Sequence, residues 1–116
     1  MYNKSFKVSV VIPAFNEEGN VGPLTDKLTK ILNEYRDYEI IFVDDGSEDN
    51  TLEALKILRA KNHRVRYLSL SRNFGHQNAL KAGIDHAQGD CVITMDADLQ
   101  HPPELIPIMI EKWREG

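Results

Sequence analysis

Hydrophobic and polar positions alternate along the chain in two rhythms. Four short apolar runs are rich in valine and isoleucine and are bounded by turn residues, which is typical of β-strands. They cover residues 8–12, 38–43, 65–70 and 91–95. The first, second and fourth runs are almost continuously apolar, and we therefore expect these three strands to be buried on both faces of a sheet.

Between the strands, apolar residues recur every three or four positions, the spacing of an amphipathic helix. These patterns cover residues 21–35, the stretch after a cap region at 47–50, about 76–87, and 105–115. Asn20 is a candidate N-cap, Gly89 follows the third helix, and Pro107 is tolerable only in a first turn. Four successive strand–helix units predict an α/β fold, with a parallel sheet, right-handed crossovers and helices on both faces.

Length and charge limit the classes of function. The 116 residues allow one domain with a modest core, and the net charge of −4 argues against a nucleic-acid partner or an anionic membrane surface. The single cysteine, Cys91, excludes an internal disulfide and is expected in the core of a strand. Neither a signal peptide nor a run of about 20 apolar residues is found, which predicts a cytoplasmic location.

In a parallel α/β sheet, ligands bind outside the carboxyl ends of the strands. That rule directs attention to four loops, at residues 13–20, 44–50, 71–76 and 96–102, where the chemically unusual polar residues of the chain are concentrated. No G-x-G-x-x-G motif follows the first strand, and no P-loop motif occurs, so a dinucleotide site and a P-loop ATPase are excluded.

The fourth loop contains two carboxylates, Asp96 and Asp98, and then the amide of Gln100. Oxygen ligands of this kind favour Mg²⁺ or Mn²⁺, with substrate phosphates completing the coordination. A solvated acidic turn is the alternative interpretation. An acidic, metal-dependent nucleotide crevice is as far as the residues alone lead.

The other three loops each admit a structural and a functional interpretation. In the second, Gly46 is expected to adopt a positive φ and Ser47 to cap a helix, while Asp45, as an exposed loop acid, could accept the ring N–H of uracil or guanine. In the first, Phe15 could stack on a base or simply pack. In the third, Arg72 beside a helix N-terminus suits phosphate, although a surface ion pair explains it equally well. The histidines at positions 63, 86 and 101 are expected to be solvated.

Four segments together resemble a family 2 glycosyltransferase with the GT-A fold, and in particular its polyprenol-phosphate branch, which includes dolichyl-phosphate mannosyltransferases and bacterial undecaprenyl-phosphate glycosyltransferases. The segments are V-S-V-V-I-P-A-F-N-E-E, I-I-F-V-D-D-G-S-E-D-N-T, L-S-R-N-F-G-H-Q-N-A-L and I-T-M-D-A-D-L-Q-H-P-P-E-L. They occur in the family's order and spacing across nearly the whole chain. The set is therefore specific, although each motif alone would be weak.

The resemblance assigns roles by position. It implies that the nucleotide sugar contacts Pro13, Phe15, Glu17, Val43, Asp45, Asp96 and Ala97, that the metal is held by Asp98 and Gln100, and that Arg72 is a candidate phosphate contact. Two positions depart from the family's pattern. Phe15 stands where tyrosine is frequent, which removes a hydroxyl, and His76 stands where lysine is frequent, which puts a direct cationic role in doubt.

The implied reaction is inverting, metal-dependent transfer of a sugar from a UDP- or GDP-sugar to an acceptor, with polyprenyl phosphate expected in this branch. Because family catalytic domains are about twice as long, residues 1–116 are expected to form the donor-binding part of a parent protein that associates with the membrane. As a fragment the chain is expected to bind donor without transfer and to self-associate. The alternatives are a non-catalytic nucleotide-binding or regulatory domain and, less favoured, a phosphatase with an aspartyl nucleophile.

Overall fold

A computed structural model of the protein describes residues 6–98 and 102–116 and shows a four-stranded sheet in the order β3-β2-β1-β4, with every neighbouring pair parallel. The predicted alternation of strands and helices is confirmed. In chain order the elements are β1 (Lys7–Ala14), α1 (Val21–Leu32), β2 (Asp37–Asp44), α2 (Thr51–Lys61), β3 (Val65–Ser69), α3 (His76–His86), β4 (Cys91–Thr94), a 3₁₀ turn (Pro103–Leu105) and α4 (Ile106–Glu115).

Helices cover both faces of the two central strands, as predicted. One face carries the main hydrophobic core, where alternate residues of β1 and β2 pack with apolar residues of α1, α2 and α4. On the other face α3 approaches closely, because a Cβ at Gly83 would lie 2.4 Å from Val11 Cγ1 and 2.9 Å from Val43 Cγ2. β1 and β2 are consequently buried on both faces from their second residue onward.

The prediction that the fourth strand is buried on both faces is wrong. Cys91 and Ile93 of β4 are buried, whereas Val92 and Thr94 are exposed. Within the described part of the chain, β4 is an edge strand that pairs only with β1, and α3 packs over β1 and β2 instead. Unpaired strand edges favour association with another chain. Self-association stays a prediction.

Helix boundaries follow the periodic pattern with small differences. α1 ends at Leu32, so Tyr35 lies beyond it, yet Tyr35 remains buried and its ring lies 6.2 Å from that of Phe6. Asn20 occupies the N-cap position without a side-chain cap bond. Pro107 falls in the first turn of α4, as required. Within residues 6–98 and 102–116, none of the helices combines the length and the apolar character needed to cross a membrane.

A buried polar cluster fastens the end of α3 to the sheet, at the edge opposite the carboxyl ends of the strands. The carboxylate of Glu39 accepts hydrogen bonds from Ser9 Oγ (2.6 Å), Arg66 Nη1 (2.6 Å) and the backbone N–H of Gln88 (2.7 Å). Burial by itself would raise the pKa of Glu39. The hydrogen bonds outweigh it and hold that pKa below its usual value of 4.5.

Because this pKa is lowered by folding, the ionised form of Glu39 stabilises the native state above pH 4.5, and its contribution is lost as the pH falls through the lower folded pKa. We expect Glu39→Gln to reduce the free energy of unfolding by about 1–3 kcal/mol at pH 7. The difference from wild type should narrow below pH 4.5. Urea unfolding of both proteins at several pH values between acidic and neutral measures this difference in unfolding free energy. The control Glu53→Gln, on an exposed face of α2, should change stability by less than about 0.5 kcal/mol. A loss for Glu39→Gln that is independent of pH would contradict this account.

Candidate functional site

All four predicted ligand-facing loops meet in one crevice of about 360 Å³ at the carboxyl ends of β1, β2 and β4. The crevice is lined by Pro13, Ala14, Phe15, Glu17, Asp45, Asn73, His76, Asp96, Ala97 and Asp98. The seven residues that the resemblance assigns to the nucleotide sugar, and the predicted metal residue Asp98, all line this crevice except Val43. The placement follows from parallel topology, which brings the ends of all the strands to one edge.

The first loop is tied to the second through Asn16. Its backbone N–H donates to Ser47 Oγ (2.9 Å), and its side-chain oxygen accepts the N–H of Glu48 (2.8 Å). Asn16 has a φ of +56°, a left-handed conformation that asparagine tolerates better than most residues. The next N–H, of Glu17, donates to Thr51 Oγ1 at 2.9 Å. These bonds fix the backbone on either side of Asn16, and so present Phe15 and Glu17 to the crevice.

Asp45 ties the second loop to the third. One oxygen of its carboxylate accepts the N–H of Phe74 (2.8 Å), and the other accepts the N–H of Gly75 (3.2 Å). The expectation that Asp45 is an exposed acid is therefore wrong, since the residue is only 4% exposed. The backbone N–H groups that bind its carboxylate lie 29 and 30 positions away in the sequence. A local sequence pattern does not reveal partners at that distance.

Gly46 makes the same junction tighter. Its φ of +72° confirms the predicted turn. A second reason for glycine is visible in the structure, because a Cβ there would lie 2.3 Å from the carbonyl carbon of Arg72 and 2.4 Å from the N of Asn73. The backbone of the third loop can therefore contact the second loop directly because residue 46 has no side chain.

Of the predicted site residues, Val43 and Arg72 do not line the crevice, and Gln100 lies outside the described residues. Val43 is completely buried and faces α3 near Gly83. The guanidinium of Arg72 lies over the ring of Phe74, 4.6 Å from its centre, and does not line the crevice. Gln100, the second predicted metal residue, lies outside the described residues, as does His101.

Asn73 and His76 also line the crevice. Both belong to the predicted ligand-facing loop at residues 71–76, although the resemblance assigned neither of them a contact with the donor. Nε2 of His76 lies 2.9 Å from Oδ1 of Asp96. The position of His76 in the sequence could have indicated this placement, because His76 begins α3 at the ligand-facing edge of the sheet. The expected solvation of two other histidines is confirmed, since His63 and His86 are exposed.

The crevice is acidic, with carboxylates of Glu17, Asp45, Asp96 and Asp98 along its walls. A search of residues 6–98 and 102–116 finds no cluster of three or more His, Cys, Asp or Glu side chains that would by itself hold a metal ion. Mg²⁺ is commonly held by one or two carboxylates, with substrate phosphates and waters supplying the other ligands. Asp96 and Asp98 therefore suit a cation that is shared with a phosphate-bearing ligand.

Comparison with known proteins identifies the same architecture. Residues 9–116 match the family described as Glycosyl transferase family 2. An uncharacterized glycosyltransferase of Synechocystis sp. is 50% identical over 113 residues, which are 97% of this chain and 36% of that protein. A prophage bactoprenol glucosyl transferase homolog of Escherichia coli is 46% identical over 112 residues, covering 95% of this chain and 36% of that protein. The chain thus spans about a third of the length of these relatives.

A solved structure that contains ligands is similar to this chain in fold. Glucosyl-3-phosphoglycerate synthase from Mycobacterium tuberculosis, in complex with Mn²⁺, UDP and phosphoglyceric acid, superposes with a TM-score of 0.75 at 28% identity. The match covers 97% of this chain and 40% of that one. The two chains therefore share the same fold over nearly all of this chain.

The contact beneath Gly46 generates a prediction. Gly46→Ala should force the third loop away from the second, and we expect it to lower the free energy of unfolding by about 1–3 kcal/mol. Gly19→Ala is a matched control, because a Cβ at this nearby loop glycine meets nothing within 4 Å. Thermal and urea unfolding of the two variants provide the comparison. Equal stability of the two alanine variants would show that the contact does not constrain the loops.

Proposed function

The chain belongs to glycosyl transferase family 2, and we propose that its crevice binds a nucleoside diphosphate sugar whose sugar the whole protein transfers to an acceptor. The observation that carries the proposal is the convergence of an exposed aromatic ring, Phe15, with the carboxylates of Asp45, Asp96 and Asp98 in one crevice. The likeness in fold to a glycosyl-transferring enzyme solved with Mn²⁺ and UDP, glucosyl-3-phosphoglycerate synthase, supports it.

The nucleoside end of the donor is proposed to lie between the first and second loops. Phe15, 40% exposed, offers a face on which a base can stack. Asp45 already accepts two backbone N–H groups, but an ionised carboxylate has about four lone-pair positions, so a ring N–H can still be accepted. Glu17 is half-buried beside Phe15 and is assigned to the ribose hydroxyls.

The diphosphate is assigned to the side of the crevice formed by Asp96 and Asp98. An anionic diphosphate beside several carboxylates is repelled unless a cation lies between them. We assign Mg²⁺ or Mn²⁺ to this place, with Asp98 and Gln100 as its protein ligands. When bound, the ion would neutralise charge on the diphosphate.

The acceptor is proposed to be a polyprenyl phosphate. Similarity to a bactoprenol glucosyl transferase homolog supports a lipid acceptor, and a lipid acceptor would bring the protein to a membrane. In an inverting transfer, a phosphate oxygen attacks the anomeric carbon as the bond to the diphosphate breaks, and the electron pair leaves with the diphosphate. Because that oxygen is already anionic, a protein base is unnecessary.

The donor proposal predicts metal-dependent binding. Calorimetry with UDP-, GDP- and dTDP-sugars should show one preferred base, and binding with Mn²⁺ or Mg²⁺ should exceed binding in EDTA. Asp98→Ala should weaken the metal-dependent binding about tenfold or more, since it removes a charged ligand. Asp26→Ala, an exposed acid on α1, is the control and should bind as wild type does. Equal affinity in EDTA and in Mn²⁺ would remove the metal from the proposal.

The transfer proposal is tested on the whole protein. Incubation with a labelled donor, Mn²⁺ and a short polyprenyl phosphate should yield glycolipid, and NMR of the product should show inversion at the anomeric carbon. Product of retained configuration would contradict the inverting mechanism. Donor binding without any glycolipid or other transfer product would favour the alternative, a nucleotide-binding or regulatory domain on the same fold.

A further inference from the structure

The side chain of His76 is placed in the crevice by a backbone held from two directions. His76 is the first residue of α3, and the residue before it, Gly75, has a φ of +99°. The N–H of Gly75 donates to Asp45 Oδ2 (3.2 Å) and to Asn73 Oδ1 (3.0 Å). The second loop therefore fixes where α3 begins, and α3 in turn fixes where the imidazole lies.

In the hydrogen bond between His76 and Asp96, the donor and the acceptor can be assigned. An ionised carboxylate only accepts hydrogen bonds, so Nε2 of His76 carries the hydrogen and donates it to Oδ1 of Asp96 across 2.9 Å. A bond to Oδ1 restricts rotation of the Asp96 carboxylate. Both side chains line the crevice, so the restricted carboxylate belongs to the same cavity that we assign to the donor.

Stability does not account for this pair. The side chains of His76 and Asp96 are 56% and 36% exposed, and ion pairs or hydrogen bonds at such exposed positions contribute little to folding. His86 differs in this respect, since its ring contacts the carbonyl of Ala82 within its own helix. His76 instead joins the third loop to the fourth, across 20 positions.

We propose that His76 is a positioning residue that holds the Asp96 carboxylate in the orientation required by the bound nucleotide sugar. The inference rests on the proposed function of the crevice. It implies that the hydrogen-bond donor at Nε2 matters and that the ring itself does not. A side chain that places an N–H donor at the same distance from the backbone should therefore substitute for histidine.

Glutamine and asparagine variants show whether binding requires a hydrogen-bond donor at the position of Nε2 or the imidazole ring itself. The amide nitrogen of glutamine reaches the position of Nε2, whereas that of asparagine reaches only the position of Nδ1. Affinity for the preferred nucleoside diphosphate sugar, measured by calorimetry at saturating Mn²⁺, should fall about tenfold in His76→Asn and His76→Ala. His76→Gln should stay within about threefold of wild type, and the control His86→Gln should be unchanged. Melting temperatures should differ little throughout, because the pair is exposed.

The outcomes separate this inference from the donor proposal. If the wild-type chain binds no nucleotide sugar, the proposed function fails and this inference fails with it. If the wild-type chain binds and His76→Asn binds equally well, the positioning role alone is overturned. It is also overturned if His76→Gln is as weak as His76→Ala, or if the losses of affinity follow losses of melting temperature. Recovery in the glutamine variant alone supports it.

Discussion

Burial of β1 and β2 on both faces is the constraint on which the rest of the molecule depends. Helices cover both sides of these strands, so few polar side chains can be accommodated along them. Ser9 and Glu39 are exceptions, and each has its hydrogen-bonding groups satisfied by the other and by the segment after α3. Polar chemistry is thereby displaced to the strand ends, where four loops meet.

The loops at those ends form a single unit held by contacts between them. Asn16 joins the first loop to the second, Asp45 joins the second to the third, and His76 joins the third to the fourth. The backbone of the third loop also rests on Gly46, where a side chain would collide with it. A site assembled in this way is ordered before any ligand arrives, which reduces the entropic cost of binding.

The contacts between the loops also divide the acids of the crevice into two groups. Carboxylates that stabilise the loops, such as Asp45, turn toward backbone N–H groups, while Asp98 remains exposed at the crevice. One group of acids thus has a structural role, and the other is the group to which we assign the proposed cation. Membership in glycosyl transferase family 2, which the match over residues 9–116 shows, is consistent with that division.

The sequence by itself determined the features that depend on neighbouring residues. Periods of two and of three to four residues predicted the strands and helices, the order of units predicted a parallel sheet, and that topology predicted which edge holds the site. The positive φ of Gly46 also followed from the sequence, because the turn is local.

Tertiary structure alone decided the features that depend on distant residues. Val92 is exposed because α3 packs over β1 and β2 and leaves that face of β4 uncovered. Asp45 is buried where its carboxylate accepts the N–H groups of Phe74 and Gly75. Arg72 lies over Phe74, away from the crevice, and His76 reaches Asp96. Each of these outcomes follows from which elements pack together. Periodicity reports which face of an element is apolar, but it does not report what lies against that face.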